Sequence, residues 1–157
     1  MNDALNHAAG QLGQRLLSSE WRLVTAESCT AGLISMTLTA VENSGNFYTS
    51  GFVTYSDNAK SQLLGVRPET FEAHTAVSEQ TAREVSLSIT GYAGPDSGED
   101  GTPAGTIWFG WALPDGSIVA EMRHFEGDPK SVMEQGAQFA LARLDVLLRD
   151  VALHQHA

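Results

Sequence analysis

Hydrophobic and polar positions follow two kinds of spacing along this chain. In some segments apolar residues recur at intervals of three and four, and between these segments lie short runs of β-branched and aromatic residues. The helical spacing predicts helices over residues 3–19, 30–41, 57–64 (closed by Gly65) and 132–151, and a further helix that begins at Ser78. The short runs predict strands over residues 21–25, 52–55 and 87–90 and then a hairpin formed by 107–113 and 118–125.

Helices and strands therefore alternate along most of the chain. This order predicts a single domain, residues 1–157, folded as a three-layer α/β/α sandwich with a mixed sheet. Ligands of such sheets bind where loops leave the carboxyl ends of the strands. We expect three loops to share one such edge: the turn at Ser28, the segment from Tyr55 to Lys60, and the loop from Thr90 to Pro95.

The turn at Ser28 carries the first candidates for chemistry. A polar cluster of Glu27, Ser28, Cys29 and Thr30 stands where a predicted strand passes into a predicted helix. Backbone N–H groups and the positive end of the helix dipole at such a place suit an anion or a developing oxyanion. A simpler interpretation is that Ser28 or Thr30 only caps the helix, and Cys29 is more typical of a small buried residue than of a nucleophile.

Ser28 as a nucleophile would need a base, and Lys60 is the candidate. No histidine is well placed in the sequence, whereas a lysine in a water-poor pocket loses its proton and can act as a base. Tyr55 ends the preceding strand and could orient Lys60 or relay a proton. Ser–Lys chemistry suits hydrolysis of a carboxamide, with N–H groups of the Ser28 turn or of residues 43–45 as an oxyanion hole. Taken alone, Lys60 is more typical of a solvated helix lysine.

Charge and composition limit the partners. The formal net charge is −10, from nineteen acidic and nine basic residues, which argues against nucleic acid and against an anionic membrane surface. A single cysteine excludes an internal disulfide, and no secretory signal or membrane-spanning run is visible, so the expected location is the cytoplasm. The histidines lack the spacing of a metal site, and we expect neither a metal nor another cofactor.

Six segments match the motifs of one known family, in the same order. They are TAESCTAG at 25–32, GFVTYSDNAK at 51–60, LGV at 64–66, AVSE at 76–79, TGYAGP at 90–95 and PAGTIW at 103–108. From about residue 12 to residue 148 the chain resembles the C-terminal domain of the competence/damage-inducible protein CinA, the nicotinamide-nucleotide amidase (PncC) family, and particularly its short stand-alone members. The resemblance implies a three-layer α/β fold and hydrolysis of the carboxamide of nicotinamide mononucleotide (NMN) to the nicotinate nucleotide and ammonia.

The resemblance also implies roles for individual residues. Ser28 is expected to be the nucleophile and Lys60 its base, assisted by Tyr55, with no metal. The other residues expected to line the substrate site are Thr30, Gly32, Ser44, Gly45, Thr90, Gly91, Gly94 and Lys130. The expected partner is therefore a small pyridine nucleotide.

The chain departs from the family pattern at three places. The family's Gly-Ser-Ser is Asn43-Ser44-Gly45 here, its Gly-Asp-Arg is Gly127-Asp128-Pro129, and about a dozen residues of connection are missing where Ser86 follows Val85 directly. An Arg at position 129 would bind a substrate phosphate with two parallel hydrogen bonds, whereas Lys130 offers only a flexible point charge. Two further hypotheses therefore stay open: a pyridine-nucleotide-binding or regulatory module with weak or no catalysis, and an amidase for an uncharged amide.

The sequence leaves the oligomeric state open, and a homodimer is the expected assembly. An exposed patch that includes Trp108, Phe109 or Trp111 would support it, because large exposed apolar patches mark interaction sites.

Overall fold

One five-stranded mixed sheet organises the fold, and the computed structural model describes residues 2–64, 85–98 and 101–155 of the chain. Strand β1 (Leu23–Glu27) lies between β2 (Tyr48–Val53) and β3 (Val85–Gly91) and runs parallel to both. Strand β4 (Thr106–Ala112) is antiparallel to β3 and forms a hairpin with β5 (Ile118–His124). The spatial order is β2-β1-β3-β4-β5, so the predicted α/β class and mixed sheet are confirmed.

Four helices lie within the described residues. They are α1 (Asp3–Ser18), α2 (Leu33–Thr39), α3 (Asp57–Leu64) and α4 (Pro129–Gln155), and a short 3₁₀ turn, Ser44–Asn46, precedes β2. The helix predicted from Ser78 and the closing Gly65 lie outside the described residues.

The hydrophobic core lies between the sheet and the packed pair α1 and α4. Leu87 and Ile89 of β3 and Phe109 and Trp111 of β4 point into it, because alternate residues of a strand face the same side. The indole N–H of Trp111 donates to the carbonyl of Ala140 on α4 at 3.1 Å. Phe109 and Trp111 are fully buried, so they form no exposed patch and give the expected dimer no support.

A buried carboxylate joins the two long helices. Asp145 on α4 is only 6% exposed and accepts hydrogen bonds from Arg15 of α1 and from Arg149 one turn further along α4. The two guanidinium groups compensate the cost of removing this charge from water.

The largest difference from the predicted boundaries is between β1 and α2. Strand β1 continues to Glu27, and α2 begins only at Leu33. Ala31 and Gly32 adopt left-handed backbone conformations, with φ of 50° and 94°, so the helix cannot begin at residue 30 as predicted. Strand β2 begins earlier than predicted, at Tyr48, because its pairing with β1 starts at Leu23.

Candidate active site

The carboxyl ends of β1, β2 and β3 meet at one edge of the sheet because these strands are parallel. The N–H of Ser28 donates to the carbonyl of Ile89 in β3 at 3.0 Å. On the other side, the N–H of Thr54 donates to the carbonyl of Glu27 at 2.8 Å. Neighbouring strands therefore hold the end of β1 from both sides. The Ser28 turn, the segment after β2 and the loop after Thr90 leave the sheet at this common edge, which the sequence predicted.

Ser28 stands at the start of the turn with its hydroxyl unbonded. The residue is 7% exposed, and its hydroxyl makes no hydrogen bond to any residue in the part of the chain that the structure describes. The turn then reverses the chain through the left-handed Ala31 and Gly32, with the Ala31 N–H donating to the Ser28 carbonyl at 3.0 Å. A non-glycine residue in this conformation is strained, and such strain persists only where the surroundings hold it.

Glu27 organises the turn. Its side chain is fully buried, and its two carboxylate oxygens accept five hydrogen bonds of 2.6–3.1 Å from the side chains or backbone of Thr30, Gly32, Ile34 and Ser35. Two of the donors are the backbone N–H groups of Ile34 and Ser35 in the first turn of α2. The carboxylate thus takes the place of an N-cap side chain, which α2 lacks, and its charge complements the helix dipole.

This carboxylate uses groups that were expected to contact a substrate. The Thr30 hydroxyl donates to it at 2.8 Å and the Gly32 N–H at 3.1 Å, so both are already paired. The simpler interpretation of Ser28 or Thr30 as the helix cap is wrong, because Glu27 does the capping. The sequence pattern predicted no individual role for Glu27. The available signal was an acidic residue at a strand end directly before a short helix, where the dipole favours negative charge.

Cys29 is not a nucleophile at neutral pH. Burial raises the pKa of its thiol from the ordinary 9.0 to about 12, and the negative charge of Glu27 adds to the rise. The positive charge of Lys60 and the backbone N–H groups of Cys29 and Thr30 lower the pKa but do not prevail. The thiol therefore stays neutral, in agreement with the interpretation of Cys29 as a small buried residue.

Lys60 lies near the start of α3, on the side of the Ser28 turn. Its side chain is only 16% exposed, and its amine contacts the carboxylate of Asp57 at 3.1 Å. Its positive charge lowers the pKa of the Cys29 thiol, so the amine acts on the turn electrostatically. Tyr55 differs from Lys60: it is 75% exposed, and its phenol bonds to none of the described residues.

The loop after β3 is pinned to the beginning of β4. The N–H of Tyr92 donates to the carbonyl of Thr106 at 3.0 Å, and the N–H of Gly105 donates to the carbonyl of Tyr92 at 2.6 Å. At Gly91 the two strands approach so closely that a Cβ atom would collide with the Thr106 carbonyl. Gly91 therefore serves this close approach, and the half-buried Thr90 precedes it at the site edge.

Gly94 brings the same loop against the start of α4. A Cβ atom at Gly94 would lie 3.8 Å from the ring of Pro129. Pro129 is the first residue of α4, where its missing N–H costs nothing. Asp128 caps the helix by accepting from the N–H and hydroxyl of Ser131, both at 3.0 Å, and these bonds hold the pKa of its carboxyl below the ordinary value.

The side chain of Lys130 extends away from the place where Gly94 meets Pro129. Its side chain is 86% exposed, and its amine lies 4.0 Å from the carboxylate of Glu134, one turn along α4. A long side chain this exposed has no fixed position from which to bind a ligand.

Ser44 and Gly45 lie away from the site edge. They belong to the 3₁₀ turn before β2, and β2 runs from that turn toward the Ser28 edge. At about 3.3 Å per residue, the strand spans on the order of 15 Å. The expectations that Ser44 and Gly45 line the substrate site, and that residues 43–45 form the oxyanion hole, are therefore wrong for a site within one chain.

The described edge offers the Ser28 hydroxyl, the Lys60 amine, the Tyr55 phenol and backbone N–H groups. Within residues 2–64, 85–98 and 101–155, no group of three or more His, Cys, Asp or Glu side chains is placed to hold a metal ion. In the same part of the chain, no helix combines the length and the apolar character that crossing a membrane requires.

Together the fold and the site define a class of protein: an α/β domain that presents a serine and a lysine at the carboxyl edge of a mixed sheet. The family model of the CinA C-terminal domain matches residues 5–148. The chain belongs to the CinA C-terminal domain family, and the resemblance noted in the sequence is confirmed.

Relatives and solved structures match over most of their length. Protein YdeJ of Escherichia coli (strain K12) is 44% identical over 93% of this chain and 91% of that protein. Nicotinamide-nucleotide amidohydrolase PncC of Enterobacter agglomerans is 40% identical over 87% of this chain and 91% of its own. The crystal structure of a competence-damaged protein (CinA) superfamily protein from Escherichia coli superposes with a TM-score of 0.82 at 43% identity, covering 92% of this chain and 90% of that one.

Proposed function

We propose that this protein hydrolyses the carboxamide of NMN to nicotinate mononucleotide and ammonia. The observation that carries the proposal is the Ser28 turn at the sheet edge, where the Ser28 hydroxyl bonds to none of the described residues and the charge of Lys60 acts on the neighbouring thiol. The substrate class is supported by the relative PncC, which is named a nicotinamide-nucleotide amidohydrolase. The proposed partner is accordingly a small pyridine nucleotide, and the reaction needs no metal or other cofactor.

Ser28 is the proposed nucleophile and Lys60 the proposed base. The amine of Lys60 takes the proton of Ser28 Oγ while this oxygen bonds to the carboxamide carbon. The proton then passes to the amide nitrogen, the C–N bond breaks, and ammonia leaves an acyl-enzyme. Water next attacks the acyl carbon and gives a proton to Lys60, which returns it to Ser28 Oγ as the carboxylate product departs.

Lys60 must leave Asp57 to act as this base. Asp57 is 72% exposed, and ion pairs that water can reach contribute about 1 kcal/mol or less. The contact is therefore weak enough for substrate binding to displace it. Tyr55 has the proposed assisting role only with substrate bound, because its exposed phenol contacts neither Ser28 nor Lys60 in the described residues.

The Ser28 turn supplies the proposed oxyanion hole. The backbone N–H groups of Cys29 and Thr30 donate to no carbonyl or carboxylate within the described segments, and they follow the nucleophile directly. The neighbouring thiol is neutral and does not compete with an oxyanion for them. The first N–H groups of α2 are not free for this task, because Glu27 accepts from them.

Pro129 favours a second candidate function, a pyridine-nucleotide-binding or regulatory module with little turnover. Its ring offers no donor to a phosphate, Asp128 already occupies the start of α4, and Lys130 extends into solvent. The same features at the start of α4 are compatible with an amidase that acts on an uncharged amide, because such a substrate needs no phosphate-binding group.

Ammonia release from NMN tests the first function, with Ser28→Ala as the control. Turnover by the wild type and none by the variant is expected, and equal release by both contradicts the proposal. If neither protein turns over NMN, calorimetry with NMN tests the binding module, which fails if no heat of binding is measured. Nicotinamide and benzamide as substrates test the uncharged-amide hypothesis, which turnover of NMN alone would exclude.

We further propose that the protein is a cytoplasmic homodimer. The support is a group of exposed apolar side chains around β2, a strand at the edge of the sheet: Phe52 and Val53 on β2, Met36 on α2 and Leu63 on α3. Light scattering of the purified protein tests the assembly, and a monomeric mass at micromolar concentration contradicts it.

A further inference from the structure

A network of buried and half-buried polar groups adjoins the Ser28 turn. The Ser35 hydroxyl donates to Glu27 at 2.6 Å and accepts from the Tyr48 hydroxyl at 2.8 Å. The Tyr48 and Thr25 hydroxyls lie 2.7 Å apart. Gly51 on β2 leaves the space for this network, because a Cβ atom there would collide with both the Tyr48 and the Ser35 hydroxyls.

We propose that Glu27 is a positioning residue whose carboxylate holds the turn so that Ser28 Oγ points to the substrate. The inference rests on the proposed amidase function. The backbone on both sides of the Glu27–Ser28 peptide is clamped to β2 and β3 through Thr54 and Ile89. The remaining freedom lies in residues 29–32, and the carboxylate removes it by binding the Thr30 hydroxyl and the Gly32 N–H.

Only an acceptor with two oxygens meets this demand. Three donors approach Oε2 of Glu27 and two approach Oε1, and three of the five are backbone N–H groups, which cannot accept. A glutamine in the same place would set its NH₂ group against the N–H of Ser35 in one orientation and against those of Gly32 and Ile34 in the other. An aspartate would be one methylene shorter and would not reach both ends of the turn.

The same bonds exclude a role for Glu27 as the general base. A carboxylate has about four lone-pair sites, and all are used by the turn and the helix. It is also fully buried, so no substrate proton reaches it. Its effect on the reaction therefore passes through the position of Ser28.

The strained backbone at Ala31 explains why the turn needs the Glu27 carboxylate to keep its conformation. Ala31 has a φ of 50°, a region that costs a residue with a Cβ atom about 1 kcal/mol or more. Without the carboxylate, the turn would relax toward a more favourable backbone and carry the Ser28 side chain with it. A displacement of about 1 Å costs about 100-fold in rate.

Glu27→Gln tests the inference, with Asp145→Asn as the matched control. Both substitutions remove the charge of a buried, multiply bonded carboxylate, but Asp145 lies between α1 and α4 and away from the site. We expect kcat for NMN to fall about 10- to 100-fold in Glu27→Gln, with KM changed by less than about two-fold. Asp145→Asn should lower the melting temperature and leave kcat of the folded protein unchanged.

A second readout does not depend on the substrate. A fluorophosphonate probe reacts with an activated serine, whose oxygen bonds to phosphorus as fluoride leaves, and mass spectrometry locates the label on Ser28. The labelling rate should fall in Glu27→Gln by the same factor as kcat. If Glu27→Gln does not fold, Thr30→Val removes one donor at nearly constant volume, and a reduced labelling rate is again expected.

The outcomes separate this inference from the proposed function. Absent NMN turnover by the wild type contradicts the function, while the ratio of labelling rates between variant and wild type still decides the role of Glu27. Unchanged kcat and labelling in a folded Glu27→Gln protein overturn the inference. So does an equal loss of kcat in Asp145→Asn, because the effect would then follow stability and not position. A wild type whose Ser28 is not labelled and which releases no ammonia overturns both proposals.

Discussion

The Ser28 turn and the start of α4 lie at the same edge of the sheet and are built very differently. Residues 27–30 of the turn are buried, the turn is held by five hydrogen bonds to one carboxylate, and the Ser28 hydroxyl bonds to none of the described residues. At the start of α4, the ring of Pro129 faces the loop at Gly94, and the side chain of the neighbouring Lys130 is 86% exposed. The first region holds Ser28 in one position, whereas among the described residues the second offers no fixed cation to an anionic group.

Charge sharpens the contrast. The chain carries a net charge of −10, and the start of α4, a place where a helix dipole favours anions, is already occupied by the carboxylate of Asp128. If the phosphate of NMN approaches this corner, as the family resemblance implies, binding should be weak while the chemical step stays intact. The comparison therefore predicts that variants at the two regions affect different kinetic parameters.

Lys60→Met should give the largest effect. Methionine keeps an unbranched apolar stem but cannot accept a proton, so the chemical step loses its base. We expect kcat for NMN to fall at least about 100-fold, the usual contribution of a general base, with little change in KM. The measurement is steady-state ammonia release.

Asp57→Asn serves as the control for Lys60→Met, since it removes the partner of Lys60 and keeps the amine. The control should keep most of the activity, because the pair is partly open to water. A kcat of Lys60→Met equal to that of the wild type would contradict the role of Lys60 as the base. The contrast between the Ser28 turn and the start of α4 would then lose its catalytic basis.

Pro129→Arg should give the next effect, in the opposite direction. A guanidinium at this position, next to Gly94, could bind a phosphate with two charge-assisted hydrogen bonds. Such bonds are worth about 1.5–3 kcal/mol, so KM for NMN should fall about ten-fold or more while kcat changes little.

Pro129→Gln separates charge from size in that experiment. Glutamine fills similar space without a positive charge, and its KM should remain near that of the wild type. A fall of KM in Pro129→Gln equal to that in Pro129→Arg would mean that removal of the proline, and not the new charge, improves binding. An unchanged KM in both would place the phosphate elsewhere.

The sequence predicted the alternation of helices and strands, the mixed sheet and the common edge of the loops after β1, β2 and β3, because each depends on local periodicity and on parallel strands ending together. It did not predict the role of Glu27, whose donors are backbone groups five to eight residues ahead that converge only once the left-handed turn forms. The resemblance placed Ser44 and Gly45 in the site because residues 43–45 stand where the family has Gly-Ser-Ser, and a matched motif does not show at which end of a strand it lies. The sequence also left open whether Phe109 and Trp111 lie at the surface, since the spacing of a strand does not say which face is covered, and the structure buries both.

Tyr55→Phe should have a smaller effect than either substitution above. The phenol is 75% exposed and unbonded within the described residues, so its removal disturbs no contact of the free protein. We expect kcat to fall by less than about ten-fold, which is below the usual contribution of a direct proton-transfer group. The measurement is again ammonia release. A fall as large as that in Lys60→Met would mean that Tyr55 itself carries the proton.

Cys29→Ala should leave kcat nearly unchanged and instead alter the pH dependence of stability. Burial raises the pKa of the Cys29 thiol to about 12 from the ordinary 9.0 of the unfolded chain, so the folded state favours the neutral thiol. The stability this gives is fully present below about pH 9 and is lost as the pH rises toward 12. Between pH 8 and pH 10 the wild type should therefore lose about 1.4 kcal/mol more free energy of unfolding than Cys29→Ala, in which all other titrating groups are the same.

Urea unfolding of both proteins at the two pH values measures this difference. The same property makes the thiol slow to alkylate, because iodoacetamide reacts with the thiolate, which is about 1,000-fold rarer at pH 8 than in an exposed cysteine. Equal pH dependence in the two proteins, or rapid alkylation of the folded wild type, would contradict a neutral buried thiol beside Ser28. In that case the thiol would ionise near its ordinary pKa of 9.0, and only at higher pH would an anion stand next to the proposed oxyanion hole.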